Sequence, residues 1–426
     1  MSPNTQRLRL TIRGRVQGVG FRPFIHRLAT EAGLAGYVQN SRNGVVVEIE
    51  GPEDNVASTL MRIAPEIPPP GAIHGLEPRY LDPIGMTHFE IRPSESSSDW
   101  VRVYVPADIA TCRECLNEIF DPSNLRHRYP FTDCPHCGPR YSIIQRMPYD
   151  RVNTSMAGFR MCYECCQEYE DPDNRRFHAQ SNACSQCGPS LTLYRGAQPV
   201  AQKDLAMAAV VELLREGGIV AIKGIGGYQI FVDSRNEDAV QTLRRRMRRE
   251  AKPLALMCSS LEEARRHCRM DSLEQRALQS PEAPIVIMRK AHNSDLAPSI
   301  APDNPCFGVT LPYMPLHHIL LRDFGAPLVV TCGKRGDEPV CIKDDQAFGR
   351  LQDIADVFLS HDRPIIRPVG DSVVRIVLGR ELVLRRARGF APEPIHVGIE
   401  APPCLALGGK CRNAVALSVG SEVFLS

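Results

Sequence analysis

The sequence predicts a multidomain α/β protein that carries two small four-cysteine zinc modules. Three observations lead there. One spacing of paired cysteines occurs twice in the chain. The stretch before it alternates strand and helix patterns as βαββαβ, a ferredoxin-like layer. The stretch after it runs apolar strands into loops bearing Lys, Arg, Thr and Ser, as in an α/β nucleotide pocket. At 426 residues the chain is too long for one core, so three or more domains are expected.

Residues 1–93 hold the first domain. Leu8-Arg-Leu-Thr-Ile12 alternates as a strand and enters Gly14-Arg-Val-Gln-Gly-Val-Gly-Phe-Arg22. Glycines at 14, 18 and 20 let backbone amides turn inward, as an anion-cradling nest requires. Phe21, Phe24 (or Ile25), Leu28 and Ala32 then recur at helical spacing, with Gly33 near the end, and the start of that helix faces the same anion. Gly36 to Asn40, a turn at Ser41-Arg-Asn-Gly44 and Val45 to Ile49 read as a hairpin. A helix over Asp54 to Ile63 and a strand over His88 to Ile91 close the βαββαβ unit. The loop ending on Arg22, with Asn40 in the next strand, resembles the acylphosphatase family across residues 6 to 92. That resemblance implies that Arg22 and the amides of Gln17, Gly18, Val19, Gly20, Phe21 and Arg22 hold a phosphate. It also implies that Asn40 orients the attacking water. Phosphoryl transfer depends on such positioning and charge more than on a strong base.

Ser94 to Asp99 is short and polar, a domain boundary. Residues 105–190 follow as a tandem zinc domain. Cys112-Arg-Glu-Cys115, eighteen residues and Cys134-Pro-His-Cys137 return as Cys162-Tyr-Glu-Cys165, eighteen residues and Cys184-Ser-Gln-Cys187. Two residues between cysteines let both thiolates reach one tetrahedral ion, and a second knuckle completes a structural zinc site. The flanks repeat as well: Glu118-Ile-Phe-Asp121-Pro122 matches Glu168-Tyr-Glu-Asp171-Pro172, and Gly138-Pro139 matches Gly188-Pro189. Two structural zinc ions are therefore expected, against a disulfide framework or redox pairs. His127, His136 and His178 are not needed as ligands. Arg175, Arg176 and His178 would suit a phosphate, but read as solvated or paired with neighbouring aspartates.

Lysine plus arginine number 51 against 49 acidic residues, so no global charge points to nucleic acid. Met1 to Leu10 is polar, so no secretory signal is expected, and no stretch is long enough to span a bilayer. Metal-spaced cysteines then predict a reducing, cytoplasmic setting.

Residues 198–388 form the third expected domain. A helix with Ala206, Val210, Leu213 and Leu214 leads to an apolar strand, Ile219 to Ile222, that ends at Lys223 and runs on to Tyr228. Arg244-Arg-Arg-Met-Arg-Arg249 feeds Lys252-Pro253-Leu-Ala-Leu256, which places part of this basic run at a cleft edge. A strand over 328–332 ends in Thr331, Cys332 and Lys334, and Ser372 and Arg375 follow Arg367-Pro368. Lys223, Tyr228, Arg249, Lys252, Thr331, Cys332, Lys334, Ser372 and Arg375 are the nucleotide-site candidates. These segments resemble the YrdC-like fold, which makes acyl-adenylates from ATP and a carbamate.

The domain order, with Phe131-Thr-Asp-Cys-Pro-His-Cys-Gly-Pro-Arg-Tyr-Ser142, Arg176-Phe-His-Ala-Gln180 and Leu384-Arg-Arg-Ala-Arg-Gly-Phe390, resembles the HypF family of hydrogenase-maturation carbamoyltransferases. The resemblance implies hydrolysis of carbamoyl phosphate at the first domain and carbamoyl-adenylate formation from ATP, with Mg2+, at the third. It further implies transfer to the C-terminal cysteine of a partner, HypE, toward the cyanide ligands of nickel–iron hydrogenase. Residues 400–426 resemble the opening hairpin of that family's last domain, of actin and sugar-kinase type, and the rest of that domain is expected to be missing. Met247-Arg-Arg249 stands where the family has Lys-x-Arg, and Cys332-Gly-Lys334 where it has Ser-x-Asn. A positional swap of the cation, or a decayed pocket, would each explain this. The competing functions are a tRNA-modifying YrdC-like enzyme and a zinc-dependent nucleic-acid-binding protein.

Overall fold

The computed structural model describes residues 5–41, 44–94, 104–292, 294–336, 338–409 and 414–425. Residues 95–99 of the expected linker, Arg42 and Asn43 of the hairpin turn, and Lys410, Asn413 and Ser426 of the expected final strands lie outside the described residues. The chain divides into two compact units: Met1–Pro106 with Asp133–Ala183, and Ala107–Thr132 with Cys184–Ser426.

In the first unit β1 (Thr5–Arg15), β2 (Ala35–Ser41), β3 (Gly44–Pro52), β4 (Ala72–Leu81) and β5 (Phe89–Ile91) form one sheet in the order β4-β1-β3-β2-β5. Alternate residues of β1 and β3, among them Leu8, Leu10, Ile12, Val45, Val47 and Ile49, face the core. Helix α1 (Phe21–Glu31) starts from a left-handed Gly20 and buries Phe21, Phe24, Ile25 and Leu28 as one apolar stripe. Helix α2 (Glu53–Ile63) adds Val56 and Ile63. The strand expected over His88 to Ile91 is present as β5, parallel to β2 at one edge, and a further strand that was not expected, β4, pairs antiparallel with β1 at the opposite edge. Gly75 and Pro78 break the strand pattern of β4, an edge position that tolerates both, and its partly solvated faces hide any alternation.

Two short helices, α3 (Arg113–Phe120) and α4 (Tyr163–Glu170), start directly after Cys112 and Cys162, so the duplication seen in sequence recurs in backbone. The second unit is built on a mixed eleven-stranded sheet. Its strands are β6 (Leu191–Arg195), β7 (Gln198–Gln202), β8 (Val220–Lys223), β9 (Tyr228–Asp233), β10 (Ala255–Met257), β11 (Ile285–Arg289), β12 (Cys306–Thr310), β13 (Leu328–Cys332), β14 (Val357–His361), β15 (Val373–Val377) and β16 (Arg380–Arg385). Their order is β16-β15-β11-β12-β10-β13-β9-β8-β14-β6-β7. Helix α5 (Lys203–Arg215) precedes β8, and α6 (Glu237–Met247) ends at a left-handed Arg248. Val240 and Leu243 of α6 pack with Ile230, Val232, Leu256 and Val329 in the core. Strand β10 begins only after Pro253, which cannot donate to the ladder. A two-stranded ribbon, β17 (Ile395–Leu407) with β18 (Val415–Leu425), ends the described chain and starts earlier than expected. Among the described residues no helix is long and apolar enough to cross a membrane.

Candidate functional site

The four sulfurs of Cys112, Cys115, Cys134 and Cys137 lie within 4.8 Å of one another, as do those of Cys162, Cys165, Cys184 and Cys187. The Cys134–Cys137 and Cys184–Cys187 sulfurs are each 3.8 Å apart. That is far from a disulfide bond of about 2.05 Å. It matches the edge of a tetrahedron with Zn–S bonds of about 2.3 Å. Both donor sets fit zinc, and four thiolates leave no open position for substrate, so these sites hold structure. Neither set includes a histidine.

The glycine-rich loop between β1 and α1 turns through left-handed Gly18 (φ 69°) and Gly20 (φ 75°). With Asn40 of β2 it lines a small cavity of about 30 Å³ in the first unit, to which Gln17, Gly18, Gly20, Phe21 and Arg22 contribute. Gln17 donates its side-chain amide to the carbonyls of Ser41 and Gly44 at 3.1 and 2.8 Å, which pins the loop to the hairpin. The Val19 side chain points into the core instead. Asn40 is 1% exposed, and its side-chain oxygen has no hydrogen-bond partner among the described residues. A buried orphan acceptor of this kind is costly unless a ligand or water satisfies it.

The other wall comes from residues far away in sequence. Arg22 donates to Asp150 at 2.9 Å. Arg140 donates to the carbonyls of Gly18, Gly138 and Pro135 at 3.0, 2.7 and 2.8 Å. Tyr149, His178, Gln180 and Ser181 also line the cavity. A Cβ on Gly18 would lie 2.8 Å from Pro106, and one on Gly20 would lie 3.0 Å from His136, so larger residues would collide with this wall. Burial first, then the charge of Arg22, pushes the His178 imidazole down to about 4. One expectation is corrected here: His178 is half-buried and lines the cavity instead of lying in solvent. Arg176 is 3% exposed and donates to the carbonyl of Asp133, so it is not a solvated side chain either. Asp150, Arg140 and Tyr149 escaped the sequence reading, because a wall joined only by tertiary contacts leaves no local pattern.

The second unit holds a cavity of about 420 Å³ where α6, β10 and β13 end. Five candidates line it: Arg249, Lys252, Thr331, Cys332 and Lys334, together with Met247. Arg249 donates to the Thr331 hydroxyl at 2.8 Å and to the Lys252 and Pro253 carbonyls, which joins the basic run to β13. Lys334 donates to the carbonyl of Glu338 at 2.9 Å. The basic run divides its work. Arg244 clamps the carbonyls of Arg249, Glu250 and Ile300, and Arg246 pairs with Asp356, so only its last residues reach the cavity.

Four candidates lie elsewhere. Lys223 is 5% exposed and donates to Asp344 at 2.7 Å and to the carbonyl of His361 at 2.8 Å. The Tyr228 hydroxyl donates to the same Asp344 oxygen at 2.9 Å, and burial with that carboxylate pushes the phenol up. The sheet order explains the placement of Lys223, since β9 stands between β8 and the cavity-lining β13. Ser372 is buried, donating to the Arg388 carbonyl and accepting from the Ala387 amide. Arg375 is exposed on β15. Asp371 and Arg385, which the sequence reading passed over, line the cavity in their place.

Comparison with known proteins gives three family matches. The acylphosphatase family matches residues 8–91, and the HypF finger matches twice, over 111–144 and 161–194. The Sua5/YciO/YrdC family, described as telomere recombination, matches 212–387. A carbamoyltransferase HypF from Synechocystis sp. is 48% identical over 98% of this chain. A crystal structure of full-length HypF in the phosphate- and nucleotide-bound form is 40% identical, with a TM-score of 0.95 over 100% of this chain and 56% of its own. The HypF structure from T. kodakarensis is 38% identical, with a TM-score of 0.91 over 99% of this chain and 54% of its own. The chain spans about half the length of the curated relatives it matches, 54% in the Synechocystis case.

Proposed function

The chain belongs to the HypF family, and from that membership we propose that it hydrolyses carbamoyl phosphate and adenylates the carbamate produced, within carbamoyltransfer for nickel–iron hydrogenase maturation. At the glycine-rich loop, Arg22 and the amides of residues 17–22 hold the phosphoryl group while Asn40 orients a water. The water attacks phosphorus, the bond to the carbamoyl oxygen breaks, and carbamate and phosphate result. In the larger cavity a carbamate oxygen attacks the α-phosphorus of ATP and pyrophosphate leaves. Arg249, Lys252 and Lys334 line that cavity, and as cations they would offset the charge that gathers on the leaving group. Mg2+ accompanies the ATP. The carbamoyl group then passes to the C-terminal cysteine of HypE, in the reducing cytoplasm that suits eight metal-bound thiolates.

One observation carries this reading. A nest with Arg22 and a buried, unsatisfied Asn40 occurs on the same chain as a 420 Å³ cavity edged by Arg249, Lys252 and Lys334. The test is release of AMP and pyrophosphate from ATP with and without carbamoyl phosphate. Release only in its presence is expected. Release without it, or with threonine and bicarbonate instead, would favour the tRNA-modifying alternative, which has no acyl phosphate to cleave.

A further inference from the structure

The duplicated zinc module supplies an internal control for the residue at 178. In both copies the residue after the knuckle helix and its Asp-Pro turn adopts a left-handed backbone, φ 55° at Arg128 and φ 53° at His178. In both its N–H donates back to that helix, to Ile119 at 2.8 Å and to Tyr169 at 3.0 Å. The corner is therefore part of the module, and what differs is the side chain it presents. Arg128 spends its guanidinium on Asp323 at 2.7 Å. His178 lines the anion cavity, and neither of its ring nitrogens has a hydrogen-bond partner among the described residues.

The ring is nonetheless held firmly. It stands edge-on to Phe177 with centroids 4.6 Å apart and tilted against Tyr169 at 5.0 Å. Gln180 donates to the His178 carbonyl at 2.6 Å and accepts from the Arg151 amide at 2.8 Å, which fixes the corner from behind. The phosphate end of the cavity offers donors: loop amides and Arg22. The guanidinium of Arg140 is already committed to carbonyls. A carbamoyl group brings two N–H donors of its own, and those need acceptors. We propose that His178 determines acyl-group specificity at this site, its unprotonated ring nitrogen accepting a hydrogen bond from the carbamoyl –NH2 while the phosphate occupies the nest. The proposal rests on the reading of this cavity as the acyl-phosphate site. Burial and Arg22 keep the imidazole neutral at pH 7, and only the neutral ring has an acceptor nitrogen.

The test compares carbamoyl phosphate with acetyl phosphate, which has the same phosphate end and no N–H. His178→Phe keeps the ring packing and removes the acceptor. His178→Asn keeps an acceptor and tolerates the left-handed backbone. His178→Phe is expected to lower kcat/KM for carbamoyl phosphate roughly tenfold, as loss of one hydrogen bond in a site built for it does. Its kcat/KM for acetyl phosphate and the inhibition constant of inorganic phosphate should change less than about twofold, and His178→Asn should recover part of the loss. Equal losses on both acyl phosphates in His178→Asn, or no loss on either in His178→Phe, would overturn the assignment while leaving the hydrolytic reading intact. A wild-type protein that cleaves neither compound would overturn the hydrolytic reading, and the inference with it.

Discussion

An incoming phosphate at the glycine-rich loop must compete with a carboxylate already in place, because Arg22 rests on Asp150. Asp150→Asn is therefore expected to tighten binding of inorganic phosphate by roughly two- to fivefold, the scale of one partly exposed ion pair. Competitive inhibition of carbamoyl-phosphate hydrolysis measures this, and an unchanged constant would remove Asp150 from the account. Arg22→Ala should weaken phosphate inhibition and turnover together. Asn40→Ala should lower turnover and leave phosphate inhibition nearly unchanged, since the role proposed for its orphaned oxygen is to orient the water and not to hold the anion. A second residue-scale question lies in the larger cavity, proposed as the nucleotide site, where Met247 and Lys334 line the same space. That placement suits a swap, in which Lys334 supplies the cation that Met247 cannot. ATP–pyrophosphate exchange should then collapse in Lys334→Asn and return in the double variant with Met247→Lys, a strong coupling between neighbouring positions. Exchange indifferent to Lys334→Asn would end the swap, and a wild type without exchange would mean a decayed pocket.

The knuckles were the most legible elements, because Cys-x2-Cys twice at a fixed interval needs nothing from the rest of the fold to be recognised. Helices α3 and α4 begin where that spacing puts them. The expected consequence is two zinc equivalents per chain by metal analysis of reduced protein. Cys134→Ser should lose one equivalent and unfold at lower temperature, since structural zinc binding, about 10 kcal/mol or more, is folding free energy. Retention of both equivalents would contradict the ligand set. Strands and loops were legible in proportion to how local their cause was. Helix α1, the hairpin β2–β3 and strand β13 follow from periodicity and glycine placement. Strand β4 was missed because Gly75 and Pro78 mask an edge strand that only its pairing with β1 defines. Lys223 and Tyr228 stand at real strand ends, yet both donate to Asp344, more than a hundred residues away, a tertiary contact that neither strand announces. The same limit hid Asp150, Arg140 and the cavity role of His178, each more than a hundred residues from the loop it meets.

On the scale of the whole molecule, each unit has its own hydrophobic core: one around Leu10, Ile25 and Val47, the other around Ile230, Leu256 and Val329. Each also has its own cavity, a small one edged by Arg22 and a large one edged by Arg249. A ligand that binds only the folded form of one unit stabilises that unit by RT ln(1 + [L]/Kd), about 2.7 kcal/mol at a hundredfold excess over Kd. With two cores, unfolding need not be a single transition, and each ligand should report on the unit that holds its site. Inorganic phosphate is expected to raise the unfolding temperature of the first unit, and ATP with Mg2+ that of the second, in calorimetry or in proteolysis resolved by fragment. Arg22→Ala should abolish the phosphate shift and preserve the ATP shift, while Arg249→Ala should do the reverse. Loss of both shifts in either variant would show that the cavities do not act as separate anion sites. An ATP shift that depended on Arg22 alone would move the nucleotide to the glycine-rich loop and overturn the division of labour proposed for this chain.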